Sequence, residues 1–235
     1  AFGRPIAHHQ ALAFLIADMA IAVDSARVLV WQAAWRLDSG IDADAIRCDV
    51  TDPAQVEEMV RAANQRFGRV DILVNDAAYN KWISFPDLDA LTYEEWDKIM
   101  SINLNGPMYC IKAVAGLMND RGSGRIVNIS SVAGIGPTGS SIPYAVSKAA
   151  LIHLTKCVAV ALAPKVLVNC VAPGFLESTK MSANLAPEYQ ERAKSSSLLK
   201  RAADKDDVAL QVVEFCRTDS VTGQPLVVDS GRVFH

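Results

Sequence analysis

Tyr144 and Lys148 stand four positions apart, and on a helix that spacing stacks two side chains on one face, where their tips can meet. A phenol has an ordinary pKa near 10 and exchanges protons poorly at neutral pH without help. A cation held beside it stabilises the phenolate and draws that pKa toward the working range. Upstream, Ser131 closes the run G-R-I-V-N-I-S-S, where a hydroxyl at a strand end can hydrogen-bond a carbonyl or alcohol oxygen. Asn103, in N-L-N-G, stands further back. This set suits proton exchange at an oxygen whose carbon gains or loses a hydride. Such chemistry needs a hydride carrier.

The elements that must position these residues alternate strand and helix beyond residue 41. Residues 45–49 read as a strand, and Asp52-Pro53 caps a helix running to Phe67, with Gly68 as its stop. Residues 70–75 read as a buried parallel strand. Thr92 and Glu95 form a capping box opening a helical region that reaches about Asn119. Residues 125–130 are the next strand, followed by a helix over 144–163 and a strand over 166–171. A mostly helical lid is expected over 175–199, then a helix over 204–216 and a last strand over 225–229. The pattern predicts an α/β fold with a doubly wound parallel sheet, Rossmann-like.

The pieces C-D-V-T-D (residues 48–52), V-D-I-L-V-N-D-A-A (70–78), Asn103, Ser131, Tyr144, Lys148, V-N-C-V-A-P-G (168–174) and V-T-G-Q-P-L-V-V-D-S-G come in one order. In that order and spacing, residues 41–235 resemble the short-chain dehydrogenase/reductase family. The resemblance implies hydride transfer between NAD or NADP and a secondary alcohol or ketone. It implies Tyr144 as acid/base and Lys148 as the cation that lowers its pKa and holds the nicotinamide ribose. Ser131 would orient the substrate oxygen and Asn103 would support a relay water. Ser131, not Ser130, has the family's spacing to Tyr144. Asp49, Val50, Asn75, Ala77, Pro173, Gly174 and Ser178 would line the cofactor, beside Tyr144 and Lys148. The family has Asn-Asn-Ala-Gly where this chain has Asn75-Asp76-Ala77-Ala78, so Asp76 brings a negative charge toward the cofactor. Ser178 keeps a hydroxyl where the family has threonine.

The family's opening strand and T-G-x-x-x-G-x-G turn do not occur before residue 41. The one formal G-x-G-x-x-G, from Gly134 to Gly139, reads as a substrate-side loop between Ser131 and Tyr144. Residues 6–39 hold no Gly or Pro, a composition that favours a helix of about 30 residues, ~45 Å long. That segment resembles the C-terminal helical domain of acyl-CoA dehydrogenases, with Phe2 and Gln10 at positions that lie near flavin there. The expected organisation is thus a helical segment over 1–40 replacing the first two strands of a truncated domain over 41–235. A direct pairing of the strands at 45–49 and 70–75 would then close the sheet. A catalytically silent fusion that no longer holds the dinucleotide is the alternative.

With 51% hydrophobic and 21% charged residues among 235, and a net charge of −3, the chain has the balance of a folded domain and no basic surface for nucleic acid. Its longest apolar runs are broken by charges, so no membrane span is expected. Five cysteines without C-x-x-C spacing and four scattered histidines point to reduced thiols, a cytoplasmic setting and no metal site. The expected partners are a small alcohol or ketone and further copies of the chain, as a dimer or tetramer.

Overall fold

The computed structural model describes residues 44–183 and 185–234. Its first helix, α1 (Pro53–Phe67), begins where the Asp52 carboxylate accepts the Ala54 and Gln55 amides at 2.9 and 3.4 Å. It ends where Gly68, at φ 73°, turns its N–H back to Asn64. Strand β1 (Ile72–Asn75) follows, then α2 (Tyr93–Met100), whose Thr92 cap accepts the Glu95 amide. A π turn over Ser101–Asn105 joins α2 to α3 (Gly106–Arg121). The continuous helical region expected here is therefore interrupted at Asn103. After β2 (Gly124–Ile129) come a short 3-10 turn (Val132–Gly134), α4 (Ile142–Leu162) and β3 (Val166–Pro173). The short helices α5 (Lys180–Ala183) and α6 (Pro187–Ser195) occupy the expected lid, before α7 (Lys205–Arg217) and β4 (Pro225–Val228).

The four strands are parallel, in the order β1-β2-β3-β4. Because side chains alternate along a strand, Ile126, Val166 and Val168 bury on one face against Val60, Ile111, Val114, Met118 and Val158 from α1, α3 and α4. Val127 and Val171 bury on the other face against Val208 and Phe215 of α7. Each fully buried aliphatic side chain of this kind is worth about 1.5–3 kcal/mol. Helices on both faces of a parallel sheet make the doubly wound α/β arrangement expected from the sequence.

Residues 45–49 are a correction. They form no strand and pair with nothing in the sheet; Ala45, Ile46 and Arg47 are exposed. A strand needs a ladder partner for its amides and carbonyls, and among the described residues β1 extends none to this segment. The expected direct pairing around α1 does not form. The long helix expected over 6–39, and the place of any strands it would replace, lie outside the described residues.

Helix α4 also departs from expectation, since it is long and apolar enough to cross a membrane by length and composition. Its packing accounts for that character: Leu151, Ile152, Val158 and Ala159 bury in the protein core, and Lys148 buries with them.

Candidate active site

The C-terminal ends of β1, β2 and β3 bring residues 75–77, Ser130 and Ser131, and Pro173 and Gly174 to one edge of the sheet. Helix α4 delivers Tyr144 and Lys148 to the same edge. Its start is set locally: the Ser141 hydroxyl accepts the Tyr144 amide at 3.4 Å, and Pro143 occupies the first turn. Two contacts then fix Lys148 against β2. The Ser130 hydroxyl donates to the Lys148 carbonyl at 2.7 Å, and a Cβ on Gly134 would fall 2.6 Å from the Lys148 carbonyl carbon. Gly134 is therefore a packing glycine of the loop between Ser131 and Tyr144. Ser130 thus donates to main chain, while the partly exposed Ser131 hydroxyl accepts the Ala133 amide at 3.1 Å.

The Lys148 side chain is 2% exposed. Its ammonium donates to the Ile129 carbonyl at 2.8 Å and lies 5.9 Å from the centre of the buried Tyr144 ring. The pair thus lies on one helix face, as its spacing implied. Its electrostatics differ from expectation: burial pushes the Tyr144 phenol up to about 12, with the Ser131 hydroxyl pulling the other way. Burial likewise pushes Lys148 down to about 8, opposed chiefly by the negative charge of Asp76. Asp76 itself is pushed up to about 6 by burial, with Lys148 working against the rise. Desolvation disfavours every charged form here, and Lys148 is not among the influences that lower the Tyr144 phenol.

Asn103 is fully buried. Its amide nitrogen donates to the Tyr79 carbonyl at 2.9 Å and to the Ser147 hydroxyl at 3.1 Å. Its amide oxygen accepts the Tyr79 N–H at 2.8 Å. Ser147 in turn donates to the Tyr144 carbonyl at 2.8 Å. Asn103 thus sits at the hub of a network linking the π turn, the loop after β1 and α4, and both its amide hydrogens are spent there. Ser147 was not singled out from the sequence, although it lies three residues past Tyr144 on the same helical face.

The expected cofactor residues divide. Asn75 and Ala77 lie at the end of β1, but the Asn75 side chain turns into the core, donating to Asn128, which donates to Thr155, each at 2.9 Å. Pro173 ends β3, and a Cβ on Gly174 would fall 2.6 Å from the Asp229 Cβ, so the chain needs glycine there. Asp49 is exposed, its carboxylate accepting the Thr51 amide and hydroxyl at 2.9 and 2.8 Å. Val50 sits over Gly106 at the start of α3, where a Cβ would meet it at 2.8 Å. Ser178 is exposed at φ 57°, and the neighbouring Thr179 hydroxyl bonds Ser182 instead.

These residues suit the nicotinamide-ribose half of a dinucleotide. A buried ammonium with three donors and a single carbonyl partner at 2.8 Å has two donors left for hydroxyls.

Comparisons with known proteins show the family. A family model described as "Enoyl-(Acyl carrier protein) reductase" matches residues 2–232, a span that crosses the border expected at residue 40. The chain is 38% identical over 81% of its length, and 77% of the relative's, to a putative ketoacyl reductase 2 of the granaticin polyketide synthase from Streptomyces violaceoruber. It is 38% identical over 79% of its length, and 75% of the relative's, to a 3-oxoacyl-(acyl-carrier-protein) reductase from Thermotoga maritima. A gluconate 5-dehydrogenase from Burkholderia cenocepacia, solved with NADP and tartrate, superposes at a TM-score of 0.79 with 30% identity, over 86% of this chain and 79% of that one. An actinorhodin polyketide ketoreductase solved with NADPH gives 0.75 and 31%, over 83% and 79%. These matches show neither the acyl-CoA dehydrogenase resemblance nor a silent fusion. With the buried tyrosine-lysine pair, the adjoining serine and a parallel sheet of matching fold, the chain belongs to the short-chain dehydrogenase/reductase family of NAD(P)-linked oxidoreductases.

Proposed function

We propose that this protein reduces a ketone to a secondary alcohol, or runs the reverse reaction, with Tyr144 as the group that moves the proton. The observation that carries the reading is the buried pair of Tyr144 and Lys148, held on one face of α4 and flanked by Ser131. When bound, NAD(P)H supplies the hydride. Lys148 and the ends of β1 and β3, with Ala77, Pro173 and Gly174, would hold its nicotinamide-ribose side, Ser178 would offer a hydroxyl to its amide or phosphate, and Asp49 and Val50 would flank the remainder. Ser131 hydrogen-bonds the substrate oxygen.

At neutral pH the phenol is protonated, since its pKa stands near 12, and that is the state needed to donate to a carbonyl oxygen. Lys148 carries its charge below about pH 8, stabilising the negative charge that builds on Tyr144 as the proton leaves. Asn103 acts by position, clamping the π turn to Tyr79 and α4. Its part in a proton relay runs through main chain, because its amide is fully engaged.

A dimer or tetramer and a cytoplasmic setting belong to the same reading. The exposed Met108, Val146 and Val160, at 40%, 40% and 82%, leave apolar surface on α3 and α4 for another copy. The division at residue 40 rests on sequence resemblance alone. The test is titration of the purified protein with NADPH and NADH by tryptophan fluorescence, alongside loss of reduced-nicotinamide absorbance with a panel of neutral ketones. Saturable binding with ketone-dependent oxidation supports the reading. A folded protein that binds neither nucleotide overturns it.

A further inference from the structure

Beside the candidate active site lies a cavity of about 330 Å³ whose lining includes Trp82, Phe85, Gly139, Tyr189, Arg192 and Arg232. It adjoins Tyr144 directly. Phe85 packs against the cluster containing Tyr144, and a Cβ on Gly139 would lie 3.4 Å from Tyr144 Cδ1. Gly139 holds φ 127°, so this wall stays free of side chain. Trp82 meets Tyr189 edge-on, with ring centres 5.4 Å apart.

The aromatic wall carries two cations. The guanidinium carbons of Arg192 and Arg232 stand 5.9 and 5.7 Å from the Tyr189 ring centre. Neither forms a salt bridge within the described residues. Three acids of the neighbouring segments bond elsewhere. Glu191 and Glu177 both pair with Lys194 at 3.1 Å, and the Asp229 carboxylate accepts the Gly231 and Val233 amides at 2.9 and 2.6 Å. That last contact also shapes the loop that carries Arg232. The helix carrying Arg192 is anchored through Gln190, whose amide donates to the carbonyls of Ser182 and Leu185 at 3.2 and 2.9 Å. Arg192 is exposed and Arg232 partly buried, and two guanidinium groups drawn to one ring with no carboxylate partner among the described residues are free to turn toward an anion in the cavity.

We infer that this cavity is an anion subsite, in which Arg192 and Arg232 bind a carboxylate or phosphate carried by the substrate at its end remote from the reacting carbon. The inference rests on the ketone-reductase reading for the location of the reacting carbon, but its own test is binding. Guanidinium groups take either oxyanion through paired N–H donors, while the rings of Trp82 and Tyr189 cover the carbon chain between.

Two matched pairs of probes separate the sources: 7-oxooctanoate with its methyl ester, and acetoacetyl-phosphopantetheine with acetoacetyl-pantetheine. Calorimetric titration of the whole chain measures Kd for each, in the wild type and in an Arg192→Gln, Arg232→Gln double variant. The anion should bind about tenfold or more tightly than its neutral partner in at least one pair, and the pair showing it names carboxylate or phosphate. The double variant should lose that preference while keeping its affinity for the neutral probe and its NADPH affinity. Equal Kd within both pairs, or a preference that survives in the double variant, overturns the subsite whether or not any probe is turned over. Failure to oxidise NADPH with the neutral ester would count instead against the ketone-reductase reading.

Discussion

Lys148 and Asp49 are both expected to face one dinucleotide, yet the molecule holds them in different ways. Lys148 is 2% exposed and is tied down by Ser130, by the close approach of Gly134 and by its own bond to Ile129. Behind it, Asn103 and Ser147 bind helix α4 to the loop after β1. Asp49 is exposed, in a segment outside the sheet, and its carboxylate turns back on Thr51. The proposed proton-transfer end of the site is thus shaped by packing from several elements, whereas among the described residues the other end is held by local turns, by the Asp49 amide donating to Gln55 at 3.0 Å and by the close approach of Val50 to Gly106. Precision is concentrated where a proton must cross a short distance, since a misplacement of about an ångström there is costly.

This contrast can be broken most forcefully at its hub. Asn103→Ala removes three hydrogen bonds and leaves the Tyr79 N–H and carbonyl without partners. Urea unfolding should show a loss of about 2–4 kcal/mol. Gly134→Ala drives a methyl into the Lys148 main chain, and should cost about 1–3 kcal/mol together with a lower kcat, as α4 shifts. A variant as active and stable as the wild type would show that the loop yields freely.

Asp76→Asn acts on charge more than on packing. Lys148 must be charged to assist, so kcat/KM, which reports the free enzyme, should be high below about pH 8 and fall above it. Above about pH 6 Asp76 is ionised and holds the Lys148 pKa up. Removing that charge should move the falling limb to lower pH, by up to about one unit. A limb that moves to higher pH would contradict the coupling. The smallest effect belongs to the other end of the site, where Thr51→Ala should change stability by no more than about 0.5 kcal/mol in the same urea assay.

The same contrast governs what could be read from sequence. Helix α1 was legible at both ends because its signals are local: an aspartate cap and a left-handed glycine. Strands β2 and β3 were legible because each is an apolar run buried within the sheet; β1 is also an apolar run, but it forms an edge of the described sheet and is half-exposed, with Ile72 at 50%. Residues 45–49 look similar as a string, but a strand is completed by its neighbour, and no periodicity reports whether a neighbour is there. The π turn at Asn103 was hidden for a related reason: Ser101–Asn105 carries no helix breaker, and only the pull of Tyr79 and Ser147 shows why the helix changes its winding. The spacing of Tyr144 and Lys148 conveyed that they share a helix face. It could not convey their pKa values, because desolvation is set by the β2 end, the 3-10 turn and the lid. Arg232 was invisible as a site residue, since it lies more than forty positions from Tyr189 in sequence and reaches it only through the loop shaped by Asp229.

The most direct measurement on the central claim is Tyr144→Phe, which removes one oxygen and leaves the ring in its packing. NADPH affinity and the urea midpoint should stay close to those of the wild type, while ketone turnover should fall about 10²–10⁴-fold at neutral pH. Turnover within a few-fold of the wild type, in a variant that folds and binds NADPH, would contradict the assignment of Tyr144 as the proton donor.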